Sequence, residues 1–420
     1  MQTLSLCLKN KRATVWGAGR EGVAARDFLE KRGVSVTTVT DPLTAPLTGV
    51  VVKSPGVSLY RPEIEAAVKN GAVFTSGTNL FFETCLSLPR RPRLIGVTGT
   101  KGKSTTSSLI AHLMTAAGRK TVLAGNIGRP LLTCVDDLPE ADVVVDEMSS
   151  YQAADFAYAF DVCVVVNLYP EHVDWHGTHE RYYRDKLNIL AHRTKGQKAV
   201  LNGACPRLKQ YCPALENAVY YNTAETVHIE NDAFYDGEKR LFSTNCVPLA
   251  GRHNLENVCA ALTALKEEKV DLSVCEDALK TFRPLPHRLQ TVAVKNGVTF
   301  VDDSISTTPE TTMAALDAFK GRHVVLIAGG YDRKQDYTEL AAFIAKRGGV
   351  SVVCVPTTGA RLAAALSAVG VDAVLAENMK DAVDSAKQNA KDVVLLSPAA
   401  PSYDFYKSFE ERGEKFAAVI

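Results

Sequence analysis

A glycine-rich loop with the sequence Gly96-Val-Thr-Gly-Thr-Lys-Gly-Lys-Ser-Thr105 joins an apolar stretch over residues 93–97 to a helical pattern over residues 106–117. The pattern predicts a strand, a loop and a helix in that order. The backbone N–H groups of such a loop lie at the N-terminus of the helix, where they and the helix dipole favour phosphate. The loop therefore predicts a site for a nucleoside triphosphate.

Two side chains of this loop have the chemistry that a bound triphosphate needs. In the pattern G-x-x-x-x-G-K-S/T, the lysine, here Lys103, reaches the terminal phosphates, and the hydroxyl, here Ser104, reaches Mg²⁺. The first position of the pattern is Val97, because the glycines stand at 96 and 99 instead. The alternative interpretation is a turn rich in Gly and Thr that contains a lysine by chance.

Length and charge limit the class of protein. A chain of 420 residues is too long for one hydrophobic core and predicts two or three domains. Its 48 Lys and Arg residues balance 47 Asp and Glu residues, which argues against non-specific binding to nucleic acid or a membrane surface.

The ten cysteines include no C-x-x-C pair, which is typical of buried thiols in a reducing compartment. No targeting segment or long apolar stretch is evident, so we expect a cytoplasmic protein that binds neither nucleic acid nor a membrane.

Apolar stretches typical of strands alternate with amphipathic stretches typical of helices, which predicts the α/β class with mostly parallel sheets covered on both faces. The first unit has a strand over residues 13–16, the motif Gly17-Ala-Gly-Arg-Glu-Gly22, a helix to Lys31, and a strand over residues 35–40 before Asp41. This order is Rossmann-like. The G-x-G-x-x-G motif alone is a weak signal, but with an acidic residue after the second strand it suggests a dinucleotide site.

Proline-rich segments predict where the domains meet. A further glycine turn, Lys53-Ser-Pro-Gly56, is expected beside the first pocket. Residues 89–93 predict a linker, and residues 281–288 predict a second, stiff connector. We therefore predict a Rossmann-like first domain, a central P-loop ATPase domain and a Rossmann-like third domain, over residues 1–90, 91–284 and 285–420.

Acidic residues follow a predicted central strand over residues 141–145. Mg²⁺ prefers oxygen ligands and keeps several waters, so Glu147 together with Ser104 could hold it against the β and γ phosphates. The alternative for Glu147 is a charge at a helix N-terminus. His172 and Asp174 follow the next predicted strand, over residues 162–166, and suggest a second metal site. The alternative for His172 is a structural histidine.

A set of motifs, in order and spacing, resembles the Mur ligases over nearly the whole chain. The central motifs are Gly99-Thr-Lys-Gly-Lys-Ser-Thr105, residues 125–128, 147–152 and 167–174, Tyr183-Arg-Asp-Lys186 and residues 251–257. The short first domain and residues 285–288, 302–304, 397–402 and 409–413 resemble, within that family, the ligase that adds D-glutamate to UDP-N-acetylmuramoyl-L-alanine. The resemblance implies an ATP-dependent amide ligase of cytoplasmic peptidoglycan precursor synthesis, expected to be a monomer. The muramoyl-alanine carboxylate would attack the γ-phosphate of ATP, and the amine of D-glutamate would displace phosphate from the acyl phosphate.

The resemblance also implies roles for individual residues. It places ATP, two Mg²⁺ ions and a carbamylated Lys186 in one site, although from the residues alone Lys186 would be a surface lysine. The implied catalytic residues are Lys103, Glu147, His172 and Lys186. The implied metal ligands are Ser104, Glu147, His172 and Lys186. The implied ATP-binding residues are Gly99, Thr100, Lys101, Gly102, Lys103, Ser104, Thr105, Asn254, Asn257, Arg288 and Asp303.

The substrate sites are implied in the same way. The residues expected to bind the UDP-substrate are Gly17, Gly19, Gly22, Asp41, Ser54, Gly56, Asn126 and Ser149. Those expected to bind D-glutamate are Thr307, Lys334, Ser402 and Phe409. Many relatives have a lysine where this chain has Ile305, so one expected contact to a carboxylate or phosphate is missing. Helix caps are the alternative for Asn254, Asn257 and Asp303, and a solvated surface residue is the alternative for Lys334.

Other functions fit parts of the sequence. A dehydrogenase would leave the loop at residues 96–105 unexplained. Sister ligases for L-alanine, a diamino acid or a dipeptide, and folylpolyglutamate synthase, share the central ATPase. The chain lacks the Asp-Asn-Pro-Arg stretch of the diamino-acid enzyme and the His-His-Pro stretch of the L-alanine enzyme. A nucleotide-switched binding protein would require the pairing of Lys186 with His172 to be accidental.

Overall fold

The computed structural model describes residues 3–213, 215–249, 251–283 and 286–420. It has the α/β class that the sequence predicts. Within the described ranges, no helix has both the length and the apolar character needed to span a membrane. All ten cysteines are buried, as their pattern predicted.

The chain forms two compact units. The first contains Met1–Val247 and His253–Phe282, and the second contains Pro248–Arg252 and Arg283–Ile420. The predicted domain boundary between residues 90 and 91 lies inside the first unit and stays a prediction. The predicted boundary between Pro284 and Leu285 falls on two residues outside the described ranges.

The first unit begins with a four-stranded sheet and its helices. In chain order these elements are α1 (Thr3–Asn10), β1 (Arg12–Trp16), α2 (Arg20–Glu30), β2 (Ser35–Val39), β3 (Val50–Lys53), α3 (Pro62–Lys69), β4 (Val73–Ser76) and α4 (Gly77–Leu86). The strands are parallel, in the order β2-β1-β3-β4. Val50 and Val52 belong to one hydrophobic cluster and Val51 to another, so both faces of the sheet are covered.

A six-stranded parallel sheet follows in the same unit. Its elements are β5 (Arg93–Thr98), α5 (Lys103–Ala116), β6 (Thr121–Gly125), β7 (Val143–Glu147), α6 (Ser150–Ala153), β8 (Val162–Val165), α7 (Val173–His176), α8 (His179–Leu187), β9 (Lys198–Asn202), α9 (Pro206–Tyr211) and β10 (Ala218–Tyr221). The strand order is β10-β9-β8-β5-β7-β6. Every residue of β8 is buried, as is typical of parallel strands covered on both faces. The glycine-rich loop therefore leaves the sheet from an interior strand, β5.

Gly96 lies inside β5 and leaves space for an aromatic ring. A Cβ built on Gly96 would lie 2.5 Å from ring atoms of Phe160. The Phe160 ring packs edge-on against Phe82 of α4, with 4.9 Å between ring centroids. Close packing therefore requires a glycine at position 96, and Gly96 belongs to the strand rather than to the loop.

The first unit ends with a smaller antiparallel sheet and two helices, β11 (Val227–Glu230), β12 (Ala233–Asp236), β13 (Lys239–Ser243), α10 (Arg252–Glu267) and α11 (Cys275–Thr281). Its three strands pair in chain order. All of α10 except its first residue belongs to this unit.

The second unit is built around another six-stranded sheet. Its elements are β14 (Gln290–Lys295), β15 (Val298–Asp302), α12 (Pro309–Asp317), β16 (Val324–Ala328), α13 (Thr338–Arg347), β17 (Val350–Cys354), α14 (Gly359–Ser367), β18 (Ala373–Leu375), α15 (Met379–Asn389), β19 (Val393–Leu396) and α16 (Phe409–Ala418). The order is β14-β15-β19-β16-β17-β18, and only the pairing of β14 with β15 is antiparallel. Leu326 faces one hydrophobic cluster while Val325 and Ile327 face another.

Several element boundaries differ from those predicted. Helix α5 begins at Lys103, three residues earlier than expected, because Gly102 forms its N-cap with a positive φ of 80°. Strand β7 continues through Asp146 and Glu147, which the sequence placed after the strand. Both acidic side chains are buried, a property that the alternation of polar and apolar residues does not reveal.

Candidate active site

The glycine-rich loop leads directly into the N-terminus of α5. Gly99 has a φ of 154° and Gly102 a φ of 80°, conformations that favour glycine. The backbone N–H of Lys101 donates to the Asn167 Oδ1 atom at 2.8 Å, and the Lys103 Nζ atom donates to the Thr100 carbonyl at 3.0 Å. Ser104 and Thr105 follow in the first turn of the helix. The loop thus has the arrangement that the sequence predicted for phosphate.

Asn254 and Asn257 lie inside α10, so neither is the helix cap that was their alternative. Both are buried, and the Asn257 Nδ2 atom donates to the Asn254 Oδ1 atom at 3.2 Å. A Cβ on Gly102 would lie 2.5 Å from the Asn257 Oδ1 atom. The Asn257 amide therefore packs directly against the phosphate loop.

Glu147 stands next to the loop strand, because it pairs with Val97 in the register of β7 and β5. Its side chain is 1% exposed. The Oε1 atom accepts a hydrogen bond from Asn126 Nδ2 at 2.7 Å, whereas Oε2 is buried and has no hydrogen-bond partner among the described residues. Glu147 lies outside α6, whose N-cap is Ser149, so it is not the helix-terminal charge of the alternative. A buried carboxylate oxygen with a free lone pair suits a hard cation.

Lys186 is buried, contrary to what the residues alone suggested. Its side chain is 1% exposed, and Nζ donates to the Gly99 carbonyl oxygen at 2.9 Å. Burial, and then the positive charge of Lys103, lower the pKa of the Lys186 amine well below its usual value. The Lys186 amine therefore contacts the glycine-rich loop, and it loses its proton more easily than an exposed lysine does.

His172 and Asp174 have different environments. His172 is the N-cap residue of α7, with a φ of 56°, and its Nδ1 atom lies 2.9 Å from the Tyr151 hydroxyl. Its Nε2 atom lies 3.4 Å from Glu171 Oε2, and burial lowers the pKa of the His172 imidazole. Asp174 is exposed in the first turn of α7. Across the described ranges, no group of three or more His, Cys, Asp or Glu side chains is arranged to hold a metal.

A cleft of about 490 Å³ in the first unit contains most of the residues predicted to bind the UDP-substrate. Those that line it are Gly17, Gly19, Asp41, Ser54, Gly56, Asn126 and Ser149. Gly22 does not line the cleft but packs against the backbone of Gly17, since a Cβ on Gly22 would be 1.9 Å from the Gly17 carbonyl oxygen. Gly17 itself has a φ of 115°, and a Cβ on it would lie 2.5 Å from Ser54 Oγ.

Asp41 and Glu21 are the acidic residues among those that line this cleft. Asp41 accepts from Arg61 at 2.5 Å and from the Trp16 indole N–H at 3.3 Å, so its carboxylate is already engaged. Glu21, which the sequence analysis did not select, also lines the cleft, and burial raises the pKa of its carboxyl group to about 7. Burial, together with Glu21 and Glu147, likewise raises the pKa of Asp146 well above its usual value.

A buried hydrogen-bond network beside Lys186 was missed as well. Asp185 Oδ2 lies 2.6 Å from His176 Nδ1, and His176 Nε2 lies 3.0 Å from Ser150 Oγ. His176 is completely buried. The only signal in the sequence was the position of Asp185 in the Tyr183-Arg-Asp-Lys186 motif.

In the second unit, Asp303 is buried between backbone and side-chain donors. Its Oδ2 atom accepts from the Ser397 hydroxyl at 2.8 Å, and its Oδ1 atom accepts from the Leu289 N–H at 3.1 Å. Burial raises the pKa of Asp303 to about 6, and the nearby positive charge of Arg288 opposes that change. Asp303 is not a helix cap, because the N-cap of α12 is Thr308.

The residues expected to bind glutamate follow adjacent strands of the second unit. Gln335 Nε2 donates to the Thr307 carbonyl at 3.3 Å, which joins the loop after β16 to the loop after β15. Lys334 is exposed and Ser402 is buried. Phe409 begins α16, and its ring packs edge-on to His287, with 6.2 Å between centroids.

Two family descriptions match the chain. Residues 97–265 match the Mur ligase middle domain, and residues 287–400 match the domain described as Mur ligase, glutamate ligase domain. A Micromonospora sp. protein named UDP-N-acetylmuramoyl-L-alanine--L-glutamate ligase is 41% identical, over 98% of this chain and 97% of its own length. A protein of the same name from Xanthomonas campestris pv. campestris is 37% identical, over 98% and 95%. Both names specify L-glutamate, so the expected D isomer has no support from them.

Solved structures share the fold. MurF ligase from Thermotoga maritima in complex with ADP has a TM-score of 0.64 at 17% identity, covering 99% of this chain and 96% of its own. The bifunctional folylpolyglutamate synthase/dihydrofolate synthase from Yersinia pestis, complexed with AMPPNP and Mn, has a TM-score of 0.59 at 19% identity, covering 81% and 92%.

The phosphate loop on a parallel sheet, with a buried carboxylate and a buried amine beside it, defines an ATP-using enzyme of the P-loop class. The family matches and the full-length relatives identify it further. The chain belongs to the Mur ligase family and is an ATP-dependent ligase. This membership rules out the dehydrogenase and the nucleotide-switched binding protein.

Proposed function

We propose that this ligase joins glutamate to UDP-N-acetylmuramoyl-L-alanine, with hydrolysis of ATP to ADP and phosphate, in cytoplasmic peptidoglycan precursor synthesis. The observation that carries the proposal is the 41% identity to a relative of that name over 98% of the chain. The arrangement of the phosphate loop, Glu147 and Lys186 within one unit supports it, because this chemistry concentrates negative charge at one place.

The amino acid in this proposal is the L isomer. The resemblance in the sequence implied D-glutamate, but the relatives from Micromonospora and Xanthomonas are both named for L-glutamate. The ligase for D-glutamate is the second candidate, since the resemblance of residues 397–402 and 409–413 favours it.

The reaction proceeds in two steps. A carboxylate oxygen of the muramoyl-alanine forms a bond to the γ-phosphorus of ATP as the bond to ADP breaks. The amine of glutamate then attacks the acyl carbon, phosphate leaves, and the amine loses a proton. The loop N–H groups and the Lys103 ammonium bind the phosphates and offset their charge. The cleft that Gly17, Ser54 and Asn126 line holds the UDP part of the substrate.

Mg²⁺ fits this site. Glu147 has a buried carboxylate oxygen without a partner among the described residues, and Ser104 lies in the first turn of α5. These two residues would hold one Mg²⁺, which supplies positive charge to the phosphates. His172 and a carbamylated Lys186 would hold the second.

Carbamylation of Lys186 is chemically reasonable in this environment. Only the uncharged amine adds to CO₂, forming an N–C bond and releasing a proton. The burial that lowers the pKa of Lys186 makes this form accessible. The product is a carboxylate-like oxygen ligand in place of a cation.

The test measures phosphate release from ATP and UDP-N-acetylmuramoyl-L-alanine with L-glutamate, D-glutamate, L-alanine or diaminopimelate as acceptor. Release with L-glutamate alone is expected, and the Lys103→Ala variant should show none. Release with D-glutamate alone would establish the second candidate. Release only with L-alanine or diaminopimelate would assign the chain to a sister step of the family.

A further inference from the structure

A cavity of about 610 Å³ lies in the second unit, at the amino ends of two strands of its sheet. Its lining comes from residues 317–323, which lead from the end of α12 into β16, and from residues 343–349, which lead from α13 into β17. Strands β16 and β17 are parallel, and their first residues, Val324 and Val350, are paired. The loops of this unit that were expected to bind glutamate follow the carboxyl ends of its strands, so the cavity lies at the opposite edge of the sheet.

The charged side chains that line this cavity are mostly basic. One is acidic, Asp317, and five are basic: Lys320, Arg322, His323, Lys346 and Arg347. Among the described residues, none of the five basic side chains forms an ion pair with a carboxylate. Elsewhere in the same unit Lys380 pairs with Asp384 at 2.7 Å. The cavity therefore has positive charge that the protein itself does not neutralise.

The Arg347 guanidinium is bonded to backbone carbonyls rather than to an acid. Its Nη2 atom donates to the Phe319 carbonyl at 2.7 Å, and its Nη1 atom donates to the Gly348 carbonyl at 3.0 Å. Burial lowers the pKa of Arg347, and the charge of Asp317 opposes this change only in part. The guanidinium is therefore fixed where its charge is disfavoured, and a bound anion would stabilise that charge.

The helix dipole explains only part of this cluster. Basic residues are common in the last turn of a helix because they interact favourably with its dipole. Lys346 and Arg347 end α13 and fit that explanation. Arg322 and His323 directly precede β16 and do not. Two separate segments of the chain thus bring positive charge to the same cavity.

Arg322 has N–H groups to spare for a ligand. Its Nη2 atom donates to the Asp392 carbonyl at 3.1 Å and to the Thr299 hydroxyl at 3.4 Å. Across the part of the chain that the structure describes, its Nη1 and Nε atoms have no protein acceptor. The guanidinium is therefore anchored at one nitrogen and can still donate to an anion through the others.

The size and the apolar part of the cavity indicate what kind of anion fits. Cavities that bind small molecules typically measure roughly 300–1,000 Å³ and combine apolar walls with a few charged groups. Phe343 supplies an apolar wall, since its partly buried ring packs against the core and also lines the cavity. An inorganic ion alone would leave that ring uncovered.

We infer that this cavity is a binding site for an organic phosphate, separate from the predicted ATP and substrate sites. The phosphate group would contact Arg322 and the ammonium groups of Lys320 and Lys346, because guanidinium and ammonium groups are the usual partners of phosphate. The organic part would lie against Phe343. The inference does not depend on the proposed function, since none of the lining residues belongs to the predicted ATP, UDP-substrate or glutamate sites.

Pyridoxal 5′-phosphate tests the site, because it is an aromatic phosphate whose aldehyde reacts with lysine. The aldehyde condenses with an uncharged lysine amine, which forms an imine and releases water, and borohydride then reduces the imine to a stable secondary amine. Mass spectrometry of the full-length protein after digestion gives the labelling rate of each lysine. Lys320 and Lys346 should be labelled at least about tenfold faster than the exposed Lys415. Pyridoxal, which lacks the phosphate, should label all three alike.

Variants show whether the cluster acts as one site. Arg322→Ala should slow the labelling of Lys320 and Lys346 about tenfold. Lys346→Ala removes only an exposed side chain and should slow the labelling of Lys320 severalfold. Arg361→Ala is the matched control, because Arg361 pairs with Asp332 and does not line the cavity. Its labelling rates should equal those of the wild type.

Competition identifies the class of ligand. AMP should protect Lys320 and Lys346 from the probe, whereas adenosine and inorganic phosphate at the same concentration should not. Equal protection by inorganic phosphate would overturn the assignment to an organic phosphate. The site itself would be overturned if Lys320 and Lys346 reacted no faster than Lys415, or if Arg322→Ala behaved like Arg361→Ala.

Discussion

The hydroxyl group of Tyr60 donates its single hydrogen between the two carboxylate oxygens of Asp185, which lie at 2.8 and 2.9 Å. Tyr60 lies between β3 and α3, and Asp185 directly precedes the buried Lys186 on α8. Asp185 also holds His176 of α7. A tyrosine of the first sheet region is therefore bonded to the helix that carries the lysine beside the phosphate loop.

Tyr60→Phe should lower kcat by roughly tenfold and change the free energy of unfolding by only about 1 kcal/mol. The reason is that Asp185 loses its phenolic donor, so α8 positions Lys186 less accurately. Steady-state kinetics and urea unfolding measure the two effects. Tyr220→Phe is the control, because Tyr220 also donates one hydrogen bond, to the Cys212 carbonyl at 2.8 Å, away from the loop. Equal kcat values in the two variants would show that Tyr60 has a structural role only.

Lys186→Ala should abolish ligation, because it removes the amine that becomes a metal ligand in the proposed function. Bicarbonate or short-chain carboxylic acids should restore part of the activity by placing a carboxylate in the vacated space. The exposed Lys195, changed to Ala, serves as the control and should remain active. Wild-type activity in Lys186→Ala would remove Lys186 from the mechanism.

Asp303→Asn should change how stability depends on pH. The pKa of Asp303 is raised to about 6 in the folded protein, so the folded state binds its proton more tightly than the unfolded state does. This group's contribution is therefore greatest below its unfolded pKa of about 4 and is lost as pH rises through about 6. Relative to Asp303→Asn, wild-type stability should fall by up to about 3 kcal/mol over that window.

Urea unfolding at several pH values between 4 and 7 measures this difference. The exposed Asp317, changed to Asn, should follow the wild-type curve. Parallel curves for wild type and Asp303→Asn would mean that the Asp303 carboxyl titrates normally.

Gly96→Ala should destabilise the first unit by about 1–3 kcal/mol, because the new methyl group would overlap the Phe160 ring. Thermal or urea unfolding detects the loss. Gly56→Ala is the control, since nothing lies within 4 Å of a Cβ at that position. Adding Phe160→Leu should recover part of the stability of Gly96→Ala. Additive losses in the double variant would contradict the packing explanation.

The alternation of apolar and amphipathic stretches was enough to predict the α/β class and the elements around the loop. It missed the end of β7, because Asp146 and Glu147 continue a buried valine strand that residue type alone would end. Likewise, α5 was expected at residue 106, but the positive φ of Gly102 lets it begin at Lys103. At an edge of the sheet that binds a ligand, polar residues are present because they contact the ligand. The alternation of polar and apolar residues therefore does not mark the ends of the elements there.

Most of the site contacts that the sequence did not predict are hydrogen bonds between residues far apart in the chain. The sequence around Lys186 does not distinguish it from a surface lysine, and its hydrogen bond to the Gly99 carbonyl, 87 positions away, joins it to the interior. Tyr60 and Asp185 are 125 positions apart. Such pairs have no local signature, so the resemblance to the Mur ligases was the sole guide to Lys186, and nothing indicated Tyr60.

The most direct test of the proposed reaction uses UDP-N-acetylmuramoyl-L-alanine labelled with ¹⁸O in its carboxylate, together with ATP and L-glutamate. We expect mass spectrometry to find a product extended by one L-glutamyl residue, and one labelled oxygen in the released phosphate. That result follows only if the carboxylate attacks the γ-phosphate before the amine attacks the acyl carbon. Unlabelled phosphate would contradict the acyl-phosphate route, and a substrate that is not extended with L-glutamate would contradict the L-glutamate assignment.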